Sequence, residues 1–237
     1  MADGREPVDC VDPMIDTAKP KVRWVFTVFT ARPFGMVRLG PNTDPVGTWG
    51  SGYRYNTNRI VNFSHIHAWQ LAGVPVMPAP GLPRGGDTGS RYRHETETAR
   101  PGYYDVLLDD LGIRAELTAT DRVGFHRYTF PPGGDRFLTF DLGSELGPCE
   151  MSDAFVRRVT DTEIEGTIEN EVTARRNKRT QIHFVARLSK RIQAFEGLVN
   201  GQPVDAWDGV SGKGCRAVIR CDGSGSPTVL LKVAISY

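Results

Sequence analysis

Residues 99–130 constrain the fold more than any other stretch. Tyr103–Leu108, Ile113–Thr120 and Val123–Phe130 are three runs with apolar residues at alternate positions. Asp109-Asp110-Leu111-Gly112 and Asp121-Arg122 separate them, and Pro131-Pro132-Gly133-Gly134 closes the series. A period of two sends successive side chains to opposite faces. Connections this short join antiparallel neighbours, because a parallel pair needs a long crossover. The share of β-branched and aromatic residues suits a pleated, half-buried surface. The stretch therefore predicts an antiparallel meander with one apolar face, which a second layer must cover.

The rest of the chain repeats this signal. Further strands are expected at Met36–Leu39, Val74–Pro78, Arg136–Leu142, Phe155–Thr160, Glu163–Ile168, Ile182–Leu188, Ile192–Phe195, Arg216–Arg220 and Thr228–Ile235. Lys19–Thr30 is a strongly strand-prone run whose Lys19, Lys21 and Arg23 would form a solvated basic strip. Asp161-Thr162 reads as the turn of a ladder, and the six residues Asp222–Pro227 fit a hairpin loop. Among 237 residues, 26 Gly and 16 Pro are spread along the chain, which suits many turns; no helix beyond two or three turns and no internal repeat is expected. The fold class is all-β, an antiparallel β-sandwich with few short helices, read as a single domain over residues 1–237.

A formal net charge of +1 gives no general electrostatic case for nucleic acid or an anionic membrane. Arg175-Arg176-Asn177-Lys178-Arg179 is basic but lacks the broad basic surface that nucleic acid needs. No apolar run approaches the roughly 18–20 residues of a membrane span. The first residues, Met1-Ala2-Asp3-Gly4-Arg5-Glu6-Pro7, contain no apolar signal-peptide core, which favours a cytoplasmic setting. Cys10, Cys149, Cys215 and Cys221 have neither CxxC nor zinc spacing. Free thiols are expected, with a Cys215–Cys221 pairing across a hairpin as the alternative.

Several residues carry candidate chemistry. In Gly47-Thr48-Trp49-Gly50-Ser51-Gly52-Tyr53-Arg54-Tyr55, three glycines leave the backbone free to bend while Trp49, Tyr53 and Tyr55 offer aromatic faces. Sugars present C–H patches that stack on such rings, and loops carry function on rigid scaffolds; a core tryptophan with two strand tyrosines is the structural alternative. His65 and His67 are two apart and share a face on a strand. With no Asp, Glu or Cys nearby they make a poor metal site, and calcium prefers oxygen ligands. His94-Glu95 reads as a surface salt link. Glu163, Glu165 and Glu169 read as an acidic solvent face rather than acid–base carboxylates. Asp105, Glu116 and Glu145 are the carboxylates a small self-sufficient hydrolase would have to use.

The string Pro101-Gly102-Tyr103-Tyr104, Gly112-Ile113, Ala115-Glu116-Leu117-Thr118-Ala119-Thr120, Arg122-Val123-Gly124 and His126-Arg127-Tyr128-Thr129-Phe130-Pro131 resembles the N-terminal domain of glycoside hydrolase family 92. Pro33-Phe34-Gly35-Met36-Val37, Ser51-Gly52-Tyr53-Arg54-Tyr55, Phe63-Ser64-His65-Ile66-His67 and Tyr92-Arg93-His94-Glu95-Thr96-Glu97 resemble further motifs of that family. The resemblance implies a galactose-mutarotase-like supersandwich from calcium-dependent, inverting exo-α-mannosidases. In those enzymes the general acid, the general base and most calcium-site groups lie in a following (α/α)6 helical barrel. It therefore implies no catalytic residue, no metal ligand and no calcium requirement in this chain alone. Its expected partners are a mannose-containing glycan and a helical catalytic domain, with Trp49, Ser51, Tyr53, Tyr55, His65, His67 and Trp69 as substrate-binding residues. A stand-alone carbohydrate-binding sandwich is the alternative. The chain departs from the family pattern at Asp12 and Asp16, at Lys19–Thr30, where a glycine-rich loop is common, and at Ala68-Trp69-Gln70-Leu71, where Gly and Ser are common. The last departure implies a differently shaped pocket.

Overall fold

The computed structural model describes residues 4, 6–18, 28–43, 52–68, 71–83, 88–147, 149–207 and 209–237. Among them two antiparallel sheets dominate. The larger has nine strands, in spatial order β18 (Val210–Ser211), β13 (Met151–Arg158), β14 (Glu163–Asn170), β15 (Thr180–Leu188), β20 (Thr228–Ser236), β11 (Val123–Thr129), β10 (Ile113–Ala119), β9 (Tyr103–Leu108) and β8 (Glu97–Arg100). The smaller has seven: β1 (Gly40–Asn42), β3 (Asn62–Ser64), β6 (Val76–Ala79), β12 (Arg136–Asp141), β19 (Cys215–Cys221), β16 (Ile192–Val199) and β17 (Gln202–Val204). Two short pairs, β2 (Arg59–Ile60) with β7 (Ser90–Arg91) and β4 (Ile66–Ala68) with β5 (Leu71–Gly73), complete the strands. The described helices are single 3-10 turns at Pro7–Cys10 and His94–Thr96.

The predicted meander is the β9–β10–β11 side of the larger sheet. Ala115 pairs with Val106 and Tyr128, and Leu117 with Tyr104 and His126, so alternate residues line one inner face. Those side chains are buried, as are Phe63, Leu138 and Phe140 from the smaller sheet. Aromatic rings join the layers. Phe140 stacks on Phe184 with centroids 6.1 Å apart, and Phe63 meets Tyr128 at 6.2 Å. Each such pair contributes about 0.5–1.5 kcal/mol beyond its area burial. The chain is thus an antiparallel β-sandwich.

Glu163, Glu165 and Glu169 do lie on a solvent face. They pair with Arg187, Arg157 and Arg179 at 3.1, 2.6 and 3.2 Å. These exposed pairs contribute little each, but they occupy the carboxylates.

Two expectations and one alternative need correction. Asp222–Pro227 does not close a hairpin. It carries the chain from β19 in the smaller sheet to β20 in the larger, because β19 already has β12 and β16 on its two edges. Cys215 and Cys221 sit at opposite ends of β19 rather than facing each other, about 20 Å apart at the rise of an extended strand; all four cysteines are free thiols. The strand expected at Met36–Leu39 begins at Gly40. Met36 and Val37 instead donate their N–H groups to the Asp121 carbonyl, at 2.7 and 3.2 Å.

Candidate functional site

Trp49, Ser51 and Trp69, with the basic strip Lys19, Lys21 and Arg23, lie outside the described residues. His67 is described through its backbone, which pairs with Ala72 in the β4–β5 hairpin. The described candidates Tyr53, Tyr55 and His65 fall into two buried polar networks.

The first network centres on Glu97. Opposite it in the sheet stands Val106, whose side chain is buried, so the Glu97 carboxylate also points inward; its side chain is 1% exposed. Tyr53 Oη donates to Glu97 Oε2 at 2.9 Å and Tyr104 Oη to Oε1 at 2.5 Å. His94 Nδ1 lies 2.7 Å from Oε2, and His94 Nε2 lies 2.8 Å from the Tyr55 carbonyl oxygen. Both ring nitrogens of His94 face acceptors, so the geometry suits a ring that donates twice. The Tyr55 ring stacks on His94, with centroids 3.9 Å apart and planes 5° from parallel. Burial first, then the Glu97 charge, pushes the Tyr53 and Tyr104 phenols up and Tyr92 up to about 12. They stay protonated, and Tyr53 and Tyr104 serve as donors to Glu97. Tyr53 is fully buried, with its ring in the core and only its hydroxyl in use, whereas Tyr55 is exposed.

Gly52, which begins this segment, has φ +23°, and a Cβ there would stand 1.7 Å from Asn42 Oδ1. Asn42 Nδ2 in turn donates to Asn62 Oδ1 at 2.6 Å and Ser64 Oγ at 2.9 Å.

The second network links the two layers. His65 follows β3, and His126 lies on β11. His65 Nδ1 faces the Val74 carbonyl at 2.6 Å, the two Nε2 atoms are 2.8 Å apart, and His126 Nδ1 is 2.7 Å from Tyr128 Oη. A single proton arrangement satisfies every contact with neutral rings: Tyr128 donates to His126 Nδ1, His126 Nε2 to His65 Nε2, and His65 Nδ1 to the carbonyl. Burial, then the neighbouring His65, holds His126 well below the ordinary histidine range. Gly124 makes room for this contact, since a Cβ there would lie 2.6 Å from His65 Cδ2.

Sequence reasoning missed Glu97 as a hub. It also paired His94 with Glu95, whereas the structure pairs it with Glu97, because the 3-10 turn stacks residues three apart. Phe34, within the motif Pro33-Phe34-Gly35-Met36-Val37, stands wholly exposed at φ +62°. An exposed aromatic on left-handed backbone is a feature that packing alone does not favour.

Asp105 and Glu116 are cross-strand partners, paired with Arg114 and Arg127, and Glu145 is exposed. Among the described residues no three His, Cys, Asp or Glu side chains converge on a metal position.

A family model described as the glycosyl hydrolase family 92 N-terminal domain matches residues 10–236. Among solved structures, a family GH92 alpha-mannosidase from Bacteroides thetaiotaomicron in complex with mannoimidazole superposes with a TM-score of 0.84 at 27% identity, over 97% of this chain and 32% of its own. An inverting family GH92 mannosidase from the same organism gives 0.80 at 19% identity, over 98% of this chain and 32% of its own. The GH92 family glycosyl hydrolase ccman5 gives 0.81 at 23% identity, over 97% and 32%. The latter two bear on the fold alone. The chain spans about a third of the length of these structures. A comparison with curated proteins returned no match.

Proposed function

Since the chain belongs to the N-terminal domain family of glycosyl hydrolase family 92, we propose that it forms one wall of a mannose-recognising site, packs on a helical (α/α)6 catalytic domain, and does not hydrolyse glycosides by itself. The observation that carries this reading is the extent of the match: the family model takes in residues 10–236, while the solved relatives run to three times that length. Mannosidase activity belongs to those longer chains.

The chemistry of the described residues supports the same division of labour. Inverting hydrolysis needs two carboxyl groups roughly 6.5–9.5 Å apart with a water between them. Asp105 and Glu116 are instead directly opposed on one sheet face and neutralised by arginines, and Glu97 is saturated by three donors.

In the proposed site Trp49 and the exposed Tyr55 supply stacking faces, and Ser51, His67 and Trp69 supply hydrogen bonds and shape. The buried Tyr53 and His65 support that wall from beneath. The test is hydrolysis of an aryl α-mannoside and of α-1,2-mannobiose by the purified chain, with calcium and with chelator. The expected result is no turnover in either condition. Calcium-dependent turnover by this chain would overturn the proposal.

A further inference from the structure

We propose that Glu97 and His94 are positioning residues that fix the backbone of the Gly52–Tyr55 segment, and with it the stance of the Tyr53 and Tyr55 side chains. The sugar-facing role of those side chains rests on the function proposed above; the positioning role rests on geometry.

Glu97 is a carboxylate turned into the sandwich from an edge strand, where burying an uncompensated charge is costly. Its three contacts reach three separate segments: Tyr53 in the loop, Tyr104 on β9, and His94 in the 3-10 turn. Two of the three lead to the same loop. Tyr53 is held by its hydroxyl, and His94 passes the contact on to the Tyr55 carbonyl and to the face of the Tyr55 ring. Charge-assisted bonds are short and directional, and they fix geometry as well as contributing energy.

Elsewhere the loop is held by backbone and hydroxyl contacts. The Arg54 N–H donates to Thr43 Oγ1 at 2.6 Å, Thr43 Oγ1 donates to the Gly52 carbonyl at 3.0 Å, and the Tyr55 N–H donates to the Thr17 carbonyl at 3.2 Å. These contacts tie the loop backbone to Thr43 and Thr17. The Glu97–His94 pair sets its rotation by gripping two side chains from one side. An apolar core residue at 97 would bury the same area without choosing among rotations.

Amide hydrogen exchange distinguishes positioning from a general packing role. In Tyr53→Phe and His94→Phe, the second of which keeps the stack on Tyr55, the amides of Arg54, Tyr55 and Thr57 should exchange about tenfold faster. Amides of β9 and β10 should be unchanged. Tyr104→Phe removes a bond to the same carboxylate that does not touch the loop, and should leave the loop amides unchanged. Glu97→Gln, which keeps the shape and one acceptor, should fall between wild type and the two loop variants. Unaltered loop exchange in both loop variants, or acceleration spread equally over β8 and β9, would overturn the inference.

Calorimetry with α-methyl mannoside is a separate arm. A wild-type chain that does not bind the sugar counts against the sugar-facing reading, while exchange still decides the positioning role. A wild-type chain that binds should lose about tenfold in affinity in both loop variants, and equal affinity in all variants would overturn the inferred link to the site.

Discussion

The His65–His126–Tyr128 chain makes the stability of the sandwich sensitive to mild acid, and the size of the effect follows from where the protons sit. An unfolded histidine titrates near 6.5. In the folded chain, burial and the facing His65 hold His126 neutral well below that value. The unfolded state therefore binds more protons than the folded state once the pH drops below about 6.5. A depressed histidine contributes stability that is present above the unfolded pKa and is lost as pH falls toward the folded one. Each pH unit inside that window is worth about 1.4 kcal/mol per group, so a descent from pH 6.5 to pH 5.0 costs at most about 2 kcal/mol from His126 alone. His126→Gln retains a donor toward His65 and an acceptor for Tyr128 while removing the titration. Urea melts of both proteins at pH 7.5 and pH 5.0 provide the test. The stability advantage of wild type over His126→Gln should shrink between the two conditions, by at most about 2 kcal/mol. A difference unchanged to within about 0.5 kcal/mol, judged against the usual scatter for independent effects, would refute the reasoning, since the folded state would then accept the proton without penalty.

Two further outcomes are expected. Gly124→Ala drives a methyl into His65, 2.6 Å from Cδ2, and into Leu39 Cδ2 at 3.2 Å; it should cost about 2–4 kcal/mol in urea melts, combining overpacking with a weakened buried hydrogen bond, and a cost below about 1 kcal/mol would mean that the two layers separate easily there. Of the four thiols only Cys10 is exposed, while burial raises Cys149 and pushes Cys215 and Cys221 up to about 12, so a thiol reagent at pH 8 should titrate one cysteine in the native chain and all four after denaturation; a second fast thiol would show that the chain opens at Cys149 or along β19.

The sandwich was readable because its signal is local. Tyr103–Leu108 is a strand with the expected bounds, and β10 and β11 each end one residue early. Period-two alternation states which residues face inward, but not which layer they face from. That is why Asp222–Pro227 looked like a hairpin: an arch between sheets and a turn within one sheet make the same demand on six residues. The candidate site was less legible for a different reason. Tyr53 and Glu97 are 44 residues apart, and His65 and His126 are 61 apart. No local pattern announces such a meeting, and only the aromatic loop itself could be read from its composition.

The distribution of inward-facing polar groups adds a physical argument for where function lies. Most of the two inner faces is aliphatic and aromatic. The exceptions include Asn42, Asn62 and Ser64 beneath Gly52, Glu97 and His94 beside Tyr53 and Tyr55, and His65 one residue beyond β3, while Arg136 and Thr139 on β12 and Asn170 on β14 are buried as well. A sandwich of this size can be held by apolar burial alone, and an ionised or amide-bearing core is weak evidence for added stability. What such groups contribute is direction, because hydrogen bonds distinguish one rotation of a backbone from another where methyl groups do not. Departures from the apolar inward pattern are expected where a chain fixes a working geometry. The function proposed above expects such a fixed geometry around residues 52–55 and 65, and not on the arginine-paired outer face of the larger sheet with Asp105 and Glu116.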